Sequence, residues 1–144
     1  MKKMIFVVTL MLSSLCVKAQ TKEQTRAQEG QIVWVIINVI KDESKADYLA
    51  WMNATFLPAI SQSTDVLVQQ QYKSTRWLEP KKQNADKTWT YSFIMDPVVP
   101  NANYDIEGLL KKTYGDEKGV ALYKTYLGFF AQPLVSYVFK QTKI

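Results

Sequence analysis

Ile32-Val33-Trp34-Val35-Ile36-Ile37-Asn38-Val39-Ile40 is the stretch on which the reading of this chain turns. Seven of its nine residues are β-branched, which suits a pleated strand better than a helix, and the run is too short for a buried helix. Both alternating sets, Trp34 and Ile36 on one side and Val33, Val35 and Ile37 on the other, are apolar. A strand of that kind needs cover on both faces. One layer of helices supplies only one of them. Asn38 is the single polar side chain in the run.

Downstream, Thr88-Trp89-Thr90-Tyr91-Ser92-Phe93-Ile94-Met95 alternates aromatic or apolar residues with Thr and Ser, the plainest period-two pattern in the chain. Before it, Val66 to Trp77 reads as a more polar extended run, an edge strand, joined to it in a hairpin by the charged loop Glu79 to Lys87. Between these strands and the first lies a helical segment. Ser44 and Asp47 are spaced as a capping pair, Leu49, Met52, Phe56 and Ile60 recur at helical intervals, and Pro58 is expected to kink or shorten the helix near Leu57. After Asp96-Pro97, Asp105 is placed to cap a helix carrying Ile106, Leu109 and Leu110 that stops at Gly115. A further helix starts at Asp116, with Val120, Tyr123, Leu127 and Phe130 on one face and Pro133 closing it. Leu134 to Phe139 forms a last strand, again apolar on both sides.

The order β-α-β-β-α-β predicts an α+β, ferredoxin-like unit: a four-stranded antiparallel sheet with helices on one face, the second helical region split in two. An apolar face left uncovered marks an interface. A homodimer packed through the sheet face is the simplest cover, since closed two-fold dimers are the commonest oligomers.

Ahead of this domain, Lys2 and Lys3, the apolar run Met4 to Leu15 and the small-x-small site Val17-Lys18-Ala19 read as a cleaved export signal over residues 1–19. The apolar run is shorter than the roughly 20 residues of a membrane span, so no transmembrane span is expected. Residues 20–30 read as a flexible leader and 31–144 as one domain, exported to the periplasm or secreted. Cys16 raises a lipoprotein as the minor reading, because Leu15 stands where a small residue is wanted. The chain carries 18 basic and 13 acidic residues, net +5. Loss of Lys2, Lys3 and Lys18 leaves 15 basic residues against those 13, a net +2, with lysines scattered; no nucleic-acid partner is expected. Cleavage also removes the one cysteine.

At this point the chain resembles the dimeric α/β-barrel superfamily, which includes the antibiotic-biosynthesis monooxygenases. The resemblance rests on the element order, the Pro-containing first helix around Phe56-Leu57-Pro58-Ala59-Ile60, and an aromatic third strand ending in Asp96. It implies a ligand cavity between the sheet and its own helices, and a dimer. Activities vary across such folds. The haem-degrading branch uses a histidine ligand with an asparagine from the first strand. Asn38 fits the latter, but the chain has no histidine, which argues against that activity.

Without histidine, and without cysteine after cleavage, the usual zinc, haem, Ser-His and Cys-His sites are not available. No cofactor and no metal site are expected, and no catalytic residue is assigned. The ligand-binding candidates are Trp34, Asn38, Trp51, Tyr72, Arg76, Trp89 and Tyr91. Asn38 would orient a ligand, or bond to a neighbouring side chain. Arg76, beside Tyr72 and Trp77, would clamp an acidic group, or guard an edge strand. Trp89, Tyr91 and Phe93, with Trp34 and Trp51 near, would line a pocket for a flat apolar molecule, or simply fill the core. Asp96 reads as a turn residue; Tyr104, Tyr114, Tyr123 and Tyr126 would supply hydroxyls to a cavity mouth, or serve as packing residues with wet tips.

The leading functional reading is an exported homodimeric protein binding a small apolar or aromatic ligand in a sheet–helix cavity. The alternatives are a cofactor-independent monooxygenase acting on an aromatic substrate, and a structural or interaction subunit of the cell envelope.

Overall fold

A computed structural model describes residues 26–143. The export signal at 1–19 and the first part of the leader lie outside the described residues. The strands are β1 (Ile32–Ile40), β2 (Thr75–Leu78), β3 (Trp89–Met95) and β4 (Val135–Lys140). They form one antiparallel sheet in the order β2-β3-β1-β4. That is the ferredoxin-like order, with β1 and β3 central and the short β2 and β4 at the edges.

Register divides the side chains between two faces. Ile36 pairs with Phe93, Asn38 with Tyr91 and Ile40 with Trp89. This set turns toward the helices, where Ile40, Tyr91, Phe93 and Met95 are buried. The opposite set, Val33, Val35 and Ile37 of β1 beside Phe139, Tyr137 and Val135 of β4, forms the outer face. The outer face of β1, β3 and β4 carries no charged residue, and all six residues of β4 are exposed.

The helical layer consists of α1 (Lys45–Trp51), α2 (Leu57–Ser61), α3 (Val66–Ser74), α4 (Ile106–Tyr114) and α5 (Asp116–Gly128). Ser44 makes no side-chain cap; a tight 3-10 turn at Asp42–Ser44 leads into α1 instead. Between α1 and α2 the chain makes a π-helical turn, Met52–Phe56. Pro58 therefore sits in the first turn of α2, where a missing N–H is tolerated. Gly115 separates α4 from α5 at φ 90°, a conformation that glycine adopts without a Cβ penalty.

Val66 to Tyr72, expected as extended chain, is helical, and only Thr75–Leu78 is strand. The reason is local. Asp65 caps the segment by accepting from the backbone N–H groups of Leu67 and Val68, and a helix puts Val68, Gln71 and Tyr72 on one face over the sheet. α5 also ends five residues before Pro133.

Candidate functional site

Between the sheet and the α2, α3 and α4 side of the helical layer lies a cavity of about 330 Å³. Ile36, Phe93 and Met95 form its floor, Phe56 and Ile60 one end, and Leu67, Val68, Gln71 and Tyr72 the α3 wall. Ile106, Leu109 and Lys112 come from α4, Tyr126 from α5, and Leu134 from the approach to β4. The loop Asn101–Asp105 closes the roof.

The polar groups of this cavity mostly hold its walls together. Gln71 Nε2 donates to the Asn103 carbonyl at 2.8 Å, tying α3 to the roof loop. The Tyr104 hydroxyl accepts from the Val99 N–H at 2.9 Å; burial pushes its pKa up. Lys112 Nζ meets Asp65 Oδ2 at 2.8 Å on the rim. The Lys112 bond, then the Val68 and Leu67 N–H groups, hold the Asp65 carboxyl below its usual range. Tyr114 donates to the Thr55 carbonyl at 2.7 Å, using an acceptor of the π-helical turn to hold α4.

Of the seven candidate residues, Tyr72 lines the cavity. Three stand one layer behind the lining and touch it. Trp34 meets Tyr104 edge-on at 5.5 Å, Trp51 stacks on Tyr126 at 4.8 Å and near Phe56 at 6.1 Å, and Asn38 Nδ2 donates to the Tyr126 hydroxyl at 3.0 Å. Tyr91 is fully buried against Tyr48, with ring centroids 4.8 Å apart. Trp89 lies at the far end of β3, where Asp42 accepts its indole N–H at 2.7 Å and Lys45 Nζ sits 3.3 Å over the ring.

Arg76 lies opposite Ile94, on the outer face of the sheet and away from the cavity. It pairs with Asp96 at 2.6 Å, and Asp96 also accepts the Ala27 N–H. Asp96 is thus a buried anchor for β2 and the leader, more than a turn residue. Sequence reading missed most of the lining, including Leu67, Val68, Leu109 and the Asn101–Asp105 loop. For α3 a signal existed in the helical spacing of Val68, Gln71 and Tyr72.

Among the described residues no group of three His, Cys, Asp or Glu side chains could hold a metal ion. No described helix is long and apolar enough to cross a membrane.

No protein-family profile matches the chain, and no curated protein matches it. Two solved structures share its architecture. This chain is similar in fold to both. One is a candidate antibiotic biosynthesis monooxygenase from Caulobacter crescentus CB15, with TM-score 0.43, 10% identity, and coverage of 80% of this chain and 92% of that one. The other is a candidate antibiotic biosynthesis monooxygenase from Nitrosomonas europaea, with TM-score 0.42, 12% identity, and coverage of 79% and 92%. Both carry the label of the group that the chain's topology resembles. Likeness at this level says nothing about activity.

Proposed function

We propose that the protein is an exported homodimer that binds a small apolar or aromatic molecule in the sheet–helix cavity. The observation behind this reading is the cavity itself: about 330 Å³, floored by Ile36, Phe93 and Met95 and walled by Phe56, Leu67, Val68 and Leu109. That volume and that lining are those of a site for a small organic ligand. The dimer follows from the outer sheet face. The surface of Val33, Val35, Ile37, Tyr137 and Phe139, two of them aromatics about half exposed, is uncharged, and Arg76 on the β2 edge of the same face is already paired with Asp96, so a charged partner finds little to recognise. A second copy presents the same uncharged surface, as a two-fold interface requires.

The test is a titration with N-phenyl-1-naphthylamine, a neutral fluorescent probe of two apolar ring systems, alongside light scattering. The wild-type chain is expected to be a dimer that binds the probe. Leu67→Trp, at a partly exposed lining position, should fill the cavity and lower affinity by about tenfold, or 1.4 kcal/mol, without lowering thermal stability. Tyr137→Lys should yield monomers. A wild-type chain that ignores the probe, or a Leu67→Trp chain that binds it as tightly, refutes the binding site; a monomeric wild type refutes the dimer. Native mass spectrometry of the chain taken from its own envelope then weighs the natural ligand and the exported N-terminus.

A further inference from the structure

Behind the cavity wall lies a second group of polar atoms that takes no part in the lining. Asn38 and Tyr91 are cross-strand partners with both side chains turned toward the helices. Tyr48 reaches down from α1 and Trp77 lies on the neighbouring strand, stacked on Tyr91 at 6.1 Å. Asn38, Tyr48 and Tyr91 are each 0% exposed. Asn38 Oδ1, Tyr48 Oη, Tyr91 Oη and Trp77 Nε1 are all buried without a hydrogen-bond partner among the described protein groups. Native interiors pair roughly nine in ten such atoms.

Burial pushes the Tyr48 hydroxyl's pKa well above its ordinary value, while the nearby Asn38 and Trp77 dipoles pull the other way. Tyr48 thus stands close to both, yet meets neither with hydrogen-bond geometry. The four unpaired atoms thus belong to side chains of three strands and a helix that pack against one another.

We propose that these four atoms bind one buried water molecule. The inventory of donors and acceptors closes on that species. Trp77 Nε1 can only donate, Asn38 Oδ1 can only accept, and each phenol can do either. A water that accepts from Trp77 and one phenol, and donates to Asn38 and the other, fills its four bonds, at the upper end of what buried waters make. The occupant is uncharged, because neither a carboxylate nor a cation is among the four groups. The site also has a consequence for the cavity. With Oδ1 held by the water, the Asn38 amide is fixed with Nδ2 toward the Tyr126 hydroxyl at 3.0 Å, and Tyr126 lines the cavity. The water therefore positions one wall of the ligand site without touching a ligand.

Two measurements test this. A crystal structure of the mature chain at high resolution should show a single density peak within about 2.6–3.2 Å of at least three of the four atoms; direct bonds among them, with no peak between, overturn the proposal. In solution, Tyr48→Phe and Tyr91→Phe should each lower the folding equilibrium constant by about 5- to 30-fold, since each strips the water of a partner. The double variant should lose less than the product of the two, because the singles share one occupant. Hydroxyls that had no partner would be lost at no cost, so single variants as stable as wild type, or more stable, overturn it as well. So does a double loss equal to the product.

Discussion

Gly119 sets how closely α5 approaches α4, and Gly119→Ala measures what that closeness is worth. A Cβ built at Gly119 lies 2.5 Å from both Cα and N of Lys111 and 2.8 Å from the Leu110 carbonyl carbon. Unstrained carbon contacts begin near roughly 3.5 Å. The clashing atoms are backbone, so the helices must part by about 1 Å to accept the methyl. Overpacking of this kind costs about 1–3 kcal/mol, and the upper half applies because no side chain can swing away. Against this, alanine gains about 1 kcal/mol over glycine within a helix. The net loss is about 1–2 kcal/mol, or a fall in Tm of about 4–8 °C at this chain length. Gly128 serves as the control: nothing lies within 4 Å of its Cβ position, so Gly128→Ala should leave Tm unchanged or raise it slightly. The assay is thermal unfolding by circular dichroism, with the naphthylamine titration beside it. Because α4 carries Leu109 and Lys112 into the cavity wall, a parted pair should weaken the probe too. Equal Tm values for the two variants refute the close approach, and with it the account of how α4 is held over the cavity.

Two further outcomes follow from the charged pairs. Arg76→Met leaves Asp96 with its 12% exposed side chain and no cation, and should destabilise the chain by about 1–3 kcal/mol, the penalty of an unsatisfied buried group; urea unfolding of Arg76→Met beside an Arg76→Met, Asp96→Asn double variant checks it, the double being expected to recover part of the loss. Asp65 has its folded pKa held down by Lys112 and the α3 N–H groups. A depressed carboxyl contributes stability that is fully present above its unfolded value of 3.8 and is lost as pH falls through the folded value. The drop in Tm between pH 5 and strongly acidic solution should therefore be smaller in Asp65→Asn than in wild type, and identical slopes would remove Asp65 from the acid response.

The strands that form the centre of the sheet were legible because their side chains face a uniform environment. β3 could be read from its alternation alone, and β1 from two apolar faces, which correctly implied that the helices leave one face uncovered. The break at Gly115 and the Asp105 cap were legible for local reasons: a positive φ and a carboxylate two residues before an N–H. Val66 to Tyr72 misled because Val66 and Val68 favour strands, while the deciding features were the Asp65 cap and the face that Val68, Gln71 and Tyr72 bury. Propensity lost to capping and packing there. The cavity was less legible still. Arg76 was grouped with Tyr72 by nearness in sequence, but α3 ends between them, and strand parity then turns Arg76 to the opposite side of the sheet from the cavity. Leu109 and Leu134 come to the same cavity from segments that share no pattern.

The fate of the cavity's polar groups bears on what can be recognised there. Asp65 is held by the α3 N-terminus and Lys112, Gln71 by the Asn103 carbonyl, Tyr104 by Val99, Asp105 by the α4 N-terminus, and Tyr126 by Asn38. Three of these contacts, Gln71 to Asn103, Lys112 to Asp65 and Asn38 to Tyr126, fix one element to another, and the rest are local caps and loop contacts; a ligand group that took one over would have to undo part of the enclosure. The phenols are no freer to ionise: burial raises the pKa of Tyr104 and Tyr126. Most of the remaining lining is the apolar surface of Ile36, Phe56, Leu67, Val68, Phe93, Met95, Ile106, Leu109 and Leu134. Affinity built on such a surface scales with buried apolar area, at roughly 25 cal/mol per Å². Selectivity among ligands should therefore follow size and shape, with single polar substituents changing it little.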